Sequence, residues 1–569
     1  CVFRLSGLFC VLILILTTGD RHIDISTFDR HFSATLDTVR MEALLAPSAR
    51  PRTSTKASVQ SLTPELELLL STEISSGQTL KVQAAAGTGK STALRLYATR
   101  RPHLHALYLT FSTSEAEIKK KEYGAFGLRH VQVSTLHARA HLVTHDLHGG
   151  DVAANLELTA TALAALTKTS PIDWSLARRT SVERVVSRFT ASLCPSFDET
   201  LLEGESMAIL AAGRAVWKAA CDPHHPLRPT HDMYLKASLL SKERRSAMFK
   251  DIDIVFVDEA QDLTEAQLAL VEDHNDRHWS SILVYDFRQR LYGFRHAASE
   301  AYLRGLPSVA VLHLTSSWRF GGRLASLASA LVRHHSNTTA TVGVPHVVGN
   351  HERITHVREV RDIPFDEVCG VGGCLAIVAR SNRSLFSLAV AALACPSVKH
   401  LSYSGDEDGL FSAFGGRDSL LDAVALRMGC SAHQMCDQKG RAARFADLGY
   451  VAYRMAASSA GWRGDSEACA MVDRYGSALV DIVRRLVVLV TASPSLPSVC
   501  LLTVHAAKGG EWRHVYVHTD LQRMRRAMHG DDLSFQLNLV YVAVTRATHA
   551  LYLPHAIVAS WVESAGIVF

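Results

Sequence analysis

The residues best suited to chemistry lie at positions 84 to 91 of this 569-residue chain and read Ala-Ala-Ala-Gly-Thr-Gly-Lys-Ser. The mostly apolar run Leu80 to Ala86 leads into them as a strand would. Backbone N–H groups around Ala86, Gly87, Thr88 and Gly89 can wrap phosphate groups because the glycines carry no Cβ to block the approach. Lys90 supplies a point charge for the outer phosphates, and the Ser91 hydroxyl is placed to hold Mg²⁺. The stretch Thr92 to Ala98 reads as a helix whose positive N-terminal end faces the same anion. Ala84 stands where such loops usually begin with glycine. The expectation is a nucleoside triphosphate site.

A second group of candidates follows far along the chain. Asp253 to Ala260 reads Asp-Ile-Val-Phe-Val-Asp-Glu-Ala, an apolar strand ending in two acids. The carboxyl end of a buried parallel strand is where ligands bind in open α/β sheets. Asp258 would hold Mg²⁺ with Ser91, and Glu259 would polarise an attacking water as general base. Gln261 and Asp262 extend the run to Asp-Glu-Ala-Gln-Asp. Together the two segments predict Mg²⁺-dependent ATP hydrolysis.

The run Asp-Glu-Ala-Gln resembles motif II of the superfamily 1 DNA helicases of the UvrD/Rep/PcrA type, and other motifs follow in that family's order over residues 60 to 550. Thr110-Phe111-Ser112 resembles motif Ia, and Ser134-Thr135-Leu136-His137 resembles motif Ib. Residues Val284 to Arg295, Val-Tyr-Asp-Phe-Arg-Gln-Arg-Leu-Tyr-Gly-Phe-Arg, resemble motif III, with Tyr285 where glycine is commoner. Leu314 to Phe320 resembles motif IV, Thr503 to Trp512 motif V, and Asn538 to Ala547 motif VI. Thr230 to Lys236, Ser317 to Gly321 and Ala84 to Lys90 resemble the eukaryotic F-box DNA helicase branch. No F-box is visible in the short stretch before the motor, so ubiquitin-ligase subunits are set aside as expected partners.

The resemblance implies an α/β fold of two RecA-like P-loop NTPase lobes, parallel sheets flanked by helices, each with a mainly helical insertion. It implies ATP bound between the lobes. Arg319 and Arg546 would then stabilise charge developing on the γ-phosphate. Gln289 would sense that phosphate and the water, since an amide both donates and accepts. Trp318 would stack on adenine, and Glu511 would accept from the ribose hydroxyls. The adenine-reading glutamine of the family would fall at Leu66, after Leu62-Thr63-Pro64-Glu65, and leucine has no hydrogen bond to offer a base.

The same motifs imply that Phe111, Thr135, His137, Tyr292, Phe294, Thr503 and His505 contact single-stranded DNA. Aromatic faces stack on any base, which suits a motor stepping along arbitrary sequence. For Phe111 and His137 a packed core position is an equal reading. For Thr503 and Lys508 both a DNA phosphate and the ATP-lobe interface stay open.

Composition sets wider bounds. The length implies several domains, and 47% hydrophobic with 20% charged residues fits an ordinary folded protein. A formal net charge of +5 decides nothing about DNA. Basic groups such as Lys119-Lys120-Lys121, or Lys439 with Arg441 and Arg444, read as solvated faces first and phosphate contacts second. The 11 scattered cysteines fit reduced thiols, and Cys430-x-x-His433-x-x-Cys436 lacks the second pair of a zinc site.

The apolar stretch Leu8 to Leu16 behind Arg4 is too short to span a bilayer and resembles a signal-peptide core. A fragment, a mis-assigned start or an organellar presequence fits a DNA motor better than secretion does. The expected division is a leader at 1–58, a first lobe at 59–139 plus 236–308 with a helical insertion at 140–235, and a second lobe at 309–404 plus 499–569 with an insertion at 405–498. The first sheet would use Lys81 to Ala86, Ala106 to Phe111, His130 to Val133, Ile254 to Val257 and Ile282 to Tyr285. The second would use Val309 to Leu314, Leu375 to Ala379, Val499 to Val504, Val515 to His518 and Ala550 to Leu553.

The leading expectation is an ATP-driven helicase and single-stranded DNA translocase acting on tailed or forked duplexes. Polarity of 3′→5′ is implied by the resemblance alone. Repair or recombination proteins are the expected partners, with no membrane, and the location is nuclear or organellar. A DNA-stimulated ATPase that strips proteins from DNA, and a non-catalytic DNA scaffold, are the alternatives. The intact Lys90, Asp258, Glu259, Arg319 and Arg546 argue against the scaffold.

Overall fold

The computed structural model describes residues 62–559, apart from 149–151, 154–155, 157, 159–161, 164, 167–175, 202–203, 273–276, 340–346, 404–406, 460–461, 492–497 and 523–530. The proposed leader at 1–58 and parts of the helical insertion expected at 140–235 lie outside the described residues. The chain divides into two compact units. One comprises 60–354 with 528–545, and the other 355–527 with 546–569 (its 1–59 portion being undescribed).

The first unit is built on six strands: β1 (Thr79–Ala84), β2 (Ala106–Thr110), β3 (Val131–Thr135), β4 (Ile254–Val257), β5 (Ser280–Tyr285) and β6 (Ala310–Leu314). Their order is β3-β2-β4-β5-β1-β6, and every pairing is parallel. Every residue of β2, β4 and β5 is buried, so these largely apolar strands are covered on both faces. One face packs Leu80, Val82, Tyr97, Tyr108, Phe256 and Ile282; the other packs Leu107, Leu109, Val255, Val257, Leu283 and Phe249. Helices Leu176–Ala191, Met207–Ala220 and His231–Leu240 lie between β3 and β4 in sequence, and a separate cluster there includes Val182, Val185, Phe189, Phe197 and Val216.

One strand departs from expectation. Val309 to Leu314 was assigned to the second sheet, yet β6 pairs with β1 from Leu80 opposite Ala310 to Ala84 opposite Leu314. The reason is burial. Flanked by β5 and β6, β1 becomes an interior strand, and its side chains from Thr79 to Val82 are all buried. The helix Asp531–Val544 likewise groups with the first unit, through its packing on helix Gly322–Thr339 and on the turn Phe287–Gln289.

The second unit has β7 (His356–Val360), β8 (Leu375–Ala379), β9 (Leu401–Tyr403), β10 (Val499–Thr503), β11 (Trp512–Val517) and β12 (Ala547–Pro554), again all parallel, in the order β7-β12-β11-β8-β10-β9. Strands β7 and β9 are additions to the expected set. β7 is partly exposed along its length and carries Arg358 and Glu359, so it lacks the apolar run that marks an interior strand. Helices Arg417–Arg427, Gly449–Ser459, Arg463–Tyr475 and Ala478–Thr491 share one continuous core with this sheet, in which Leu375, Ile377 and Leu501 join Leu420, Tyr453 and Val472. Among the described residues no helix is long and apolar enough to cross a membrane.

At the amino end of the first sheet a charged pair is wholly buried. Arg277 Nη1 lies 3.1 Å from Glu272 Oε2 with both side chains at most 1% exposed. Ser281 Oγ donates to Glu272 at 2.6 Å, and Arg277 Nη2 donates to Thr79 Oγ1 at 3.0 Å. Removing one partner of such a pair strands the other charge in a medium that solvates it poorly. Glu272→Ala is therefore expected to cost about 3–5 kcal/mol of stability, read as a lowered thermal midpoint, while Glu272→Gln keeps the side-chain shape and one of the two acceptor oxygens and costs less. Equal midpoints for Glu272→Ala and wild type would contradict this.

Candidate nucleotide and nucleic-acid site

The phosphate loop begins where β1 ends, and the helix Lys90–Thr99 starts immediately after it. Gly87 and Gly89 have φ of 74° and 82°, the left-handed region that favours glycine. Gly87 is also required by space, since a Cβ there would sit 2.6 Å from both Arg319 Cβ and Ser317 Oγ. The loop is tied down at several points. Ala85 N–H donates to Leu314 O at 2.9 Å, and Trp318 N–H donates to Gly87 O at 2.8 Å. Ala86 N–H donates to the Tyr541 hydroxyl at 3.1 Å, and Thr88 Oγ1 donates to Ala85 O at 2.9 Å. Thr92 is exposed on the first turn of the helix.

Facing the loop are the two acids that follow β4. Asp258 Oδ2 accepts from Ser91 Oγ at 2.5 Å and from Tyr108 Oη at 2.6 Å. Burial, and then the Asp258 charge, push the Tyr108 phenol well above its ordinary pKa, so it remains a donor. Glu259 adopts φ of 58°, which turns the chain sharply after Asp258. Its Oε1 lies 3.5 Å from Lys90 Nζ. From Glu259 the hydrogen bonds continue: Gln261 Nε2 donates to Glu259, Asp286 N–H donates to Gln261 Oε1 at 2.9 Å, and Gln289 Nε2 donates to Asp286 Oδ2 at 2.6 Å. Lys90, Glu259 and Gln289 are thus brought together, although 199 positions separate the first of them from the last.

The oxygens of Ser91 and Asp258 converge as a hard, all-oxygen donor pair, which suits Mg²⁺ and leaves its other positions to phosphate and water. Trp318 lies beside the loop, its Cδ1 3.8 Å from where a Gly89 Cβ would be. Arg319 Nη1 donates to Thr545 O at 2.9 Å. Leu66 is buried in the core under this sheet, while Glu65 next to it accepts from the backbone N–H groups of Thr315 (2.8 Å) and Ser316 (3.3 Å). The segment that resembles an adenine reader therefore clamps the start of the Thr315–Phe320 turn.

The candidate DNA residues of this unit occupy the same carboxyl edge of the sheet. Phe111 follows β2 and stacks on Tyr292, which follows β5, with ring centroids 5.2 Å apart and planes at 16°. The Arg295 guanidinium lies 5.7 Å from the Tyr292 ring centroid. His137 follows β3, its Nε2 3.0 Å from Asp232 Oδ1. Phe111 and His137 are both half-buried, an intermediate between the two readings left open for them. Thr135 has a structural task, since its hydroxyl accepts from Ala138 N–H at 3.1 Å and caps the helix Leu136–Val143. Phe294 lies in the turn Gly293–Arg295, and its side chain is outside the described residues.

In the second unit Thr503 caps the short helix Val504–Ala507 by accepting from Ala506 N–H at 3.2 Å, and His505 is half-buried on that helix. Glu511 is exposed at the start of β11. Arg546 is buried at 1% exposure, and its Nη1 donates to Gly510 O at 3.4 Å.

Four participants had no role assigned from sequence: Tyr108, Gln261, Tyr541 and Asp232. Tyr108 carried a signal, a polar tip inside the otherwise apolar run Ala106 to Leu109 that pairs with β4. The other three lie inside segments singled out for resemblance, but their partners are 25 to 455 residues away and only the fold names them.

Comparison with known proteins bears on the same segments. Residues 224–308 match the UvrD/REP helicase N-terminal domain. Residues 498–553 match the UvrD-like helicase C-terminal domain. F-box DNA helicase protein 1 of Schizosaccharomyces pombe is 24% identical over 564 aligned residues, covering 89% of this chain and 59% of the relative. F-box DNA helicase 1 of Gallus gallus is 29% identical over 309 residues, covering 50% of this chain and 29% of the relative. The chain thus spans about three-fifths of the yeast relative's length and less of the chicken one. The phosphate loop and Arg319 lie outside both domain matches, so their place in the site rests on the geometry above. Asp258, Glu259 and Gln289 fall inside the first match and Glu511 and Arg546 inside the second, so these two segments of the chain are similar to the N- and C-terminal domains of the UvrD-like helicases.

Proposed function

We propose that this chain is an ATP-dependent DNA motor that translocates on single-stranded DNA and displaces the complementary strand, moving 3′→5′ in the service of repair or recombination in the nucleus. Its strongest support is the convergence of Lys90, Ser91, Asp258 and Glu259 at one carboxyl edge, with the stacked Phe111 and Tyr292 at the same edge. The similarity to proteins named as DNA helicases supports DNA as the track.

In this proposal ATP is the substrate and Mg²⁺ the resident cation. The loop amides and Lys90 bind and orient the triphosphate. Mg²⁺ held by Ser91 and Asp258 would neutralise charge on the outer phosphates. Glu259 takes the proton of the attacking water, and Lys90 at 3.5 Å keeps that carboxylate aimed into the site until phosphate draws the lysine away. Gln289 positions the water from the other side, held there by Asp286. Arg319, beside the loop, supplies a guanidinium for the γ-phosphate charge. The chain of bonds from Glu259 ends at Gln289, in the same loop as Tyr292, so a change at the phosphates is passed to the segment that carries the aromatic pair that would hold a base.

Lys90→Ala and Glu259→Gln are each expected to lower DNA-dependent ATP turnover at least about 100-fold and to abolish strand displacement on 3′-tailed duplexes, with an unchanged circular-dichroism spectrum. Unchanged turnover in either variant would remove the mechanism. Displacement from 5′-tailed substrates only would overturn the polarity, and ATP turnover without displacement on either would favour removal of proteins from DNA. Tyr108→Phe deletes one hydrogen bond to a charged acceptor, a loss of ~1.5 kcal/mol or more, so turnover at limiting Mg²⁺ is expected to fall about tenfold. Full activity at every Mg²⁺ concentration would make Tyr108 a packing residue alone.

A further inference from the structure

The second sheet also brings together two thiols that have no part in the motor function proposed above. Cys500 is the second residue of β10, and Cys374 immediately precedes β8, the strand that pairs with β10 from Val499 opposite Leu375 onward. Their sulfurs lie 3.5 Å apart. On its other side Cys500 faces β9, from which Ser402 Oγ donates to Cys500 Sγ at 3.1 Å. Both cysteines are half-buried.

We propose that Cys374 and Cys500 form a modification site at which a hydroperoxide converts the dithiol to a disulfide. Cys500 is the attacking sulfur. The donated hydrogen of Cys374 holds its thiol below the ordinary range despite burial, and the side chains of Ser402 and Trp512 add to the effect. The Cys500 thiolate attacks one peroxide oxygen, breaking the O–O bond; Cys500 becomes a sulfenic acid and the other oxygen leaves as hydroxide, or as alkoxide from an alkyl peroxide. The Cys374 sulfur then attacks the Cys500 sulfur, an S–S bond forms, and the sulfenic oxygen departs with the Cys374 proton as water. The two sulfurs are oxidised and the peroxide is reduced. A thiol reductant returns the disulfide to the two thiols by exchange, itself leaving as a disulfide.

Closing the sulfurs from 3.5 Å to the ~2.05 Å of a disulfide needs a small shift of the chain. Among the described residues the remaining cysteines offer no equal. Cys369 donates instead to Ser498 O at 3.2 Å, and burial pushes the Cys369, Cys430 and Cys469 thiols up. Oxidation also removes the thiolate that Ser402 and Trp512 share. The Trp512 ring packs directly against Gly510, so the change is delivered to the segment Thr503–Trp512.

The test is intact-mass and peptide mapping of the full chain after treatment with hydrogen peroxide at low molar excess. The expected product has lost about 2 Da, carries a Cys374–Cys500 cross-link, and returns to the starting mass with dithiothreitol. Cys374→Ser should stop at a sulfenic acid trapped by dimedone at Cys500, and Cys500→Ser should leave Cys374 reduced. A cross-link between other cysteines, an equal mass loss in both serine variants, or both thiols still alkylatable after peroxide would each overturn the proposal. These readouts do not depend on ATP or DNA, so their failure is distinguishable from failure of the motor function.

Discussion

The first unit's site depends on one arrangement of backbone: β5 lies between β1 and β4, and all three run parallel. Parallel strands deliver their carboxyl ends to one edge of the sheet. The phosphate loop after β1, the acids after β4 and Gln289 after β5 therefore meet, although they come from three separate parts of the chain. With β5 interposed, the side chains on either side have just the gap that the Ser91–Asp258 and Lys90–Glu259 contacts span. The strand order also sorts the edge. Phosphate-side residues follow β4, β5 and β1, whereas Phe111, Thr135 and His137 follow β2 and β3 at the far side. Tyr292, reached from β5, closes the distance by stacking on Phe111.

Within that frame the charged contacts contribute more to geometry than to stability. A partly exposed ion pair such as Lys90–Glu259 adds little to folding free energy. Its consequence is that a carboxylate and an ammonium are held ready, each able to exchange its partner for water or phosphate. The groups behind them are buried and fixed. Tyr108, Gln261 and Asp286 hold the acids and Gln289 through bonds of 2.5 to 2.9 Å. Stability is drawn from elsewhere, from the apolar faces of the sheet and from the sealed Glu272–Arg277 network at its opposite end.

Much of this was legible because local sequence and fold agree. An apolar run followed by Gly-Thr-Gly-Lys-Ser dictates a strand, a left-handed turn and a helix, and all three are present at Thr79–Thr99. The run Ile254 to Val257 with its two acids is equally plain. What failed was neighbour choice. The residues Val309 to Leu314 spell a strand but not which sheet it joins, and the pairing of β6 with β1 is fixed by burial of both faces of β1. Edge strands β7 and β9 were missed because partial exposure relaxes the demand for apolar residues. Partners such as Tyr541 for the Ala86 amide, 455 positions distant, have no local signature at all. Thr135 and Thr503 show the converse, since each caps a helix whatever else it touches.

The central claim is that phosphate chemistry and strand binding share one edge and are coupled through it. It is tested most directly by the rate of ATP hydrolysis of the full chain with and without unstructured single-stranded DNA, in wild type and in a Phe111→Ala, Tyr292→Ala double variant. Stimulation of wild type by at least about tenfold, with basal turnover retained and stimulation lost in the double variant, is the expected result. ATP turnover that ignores DNA, or stimulation that survives loss of both aromatic rings, would contradict it.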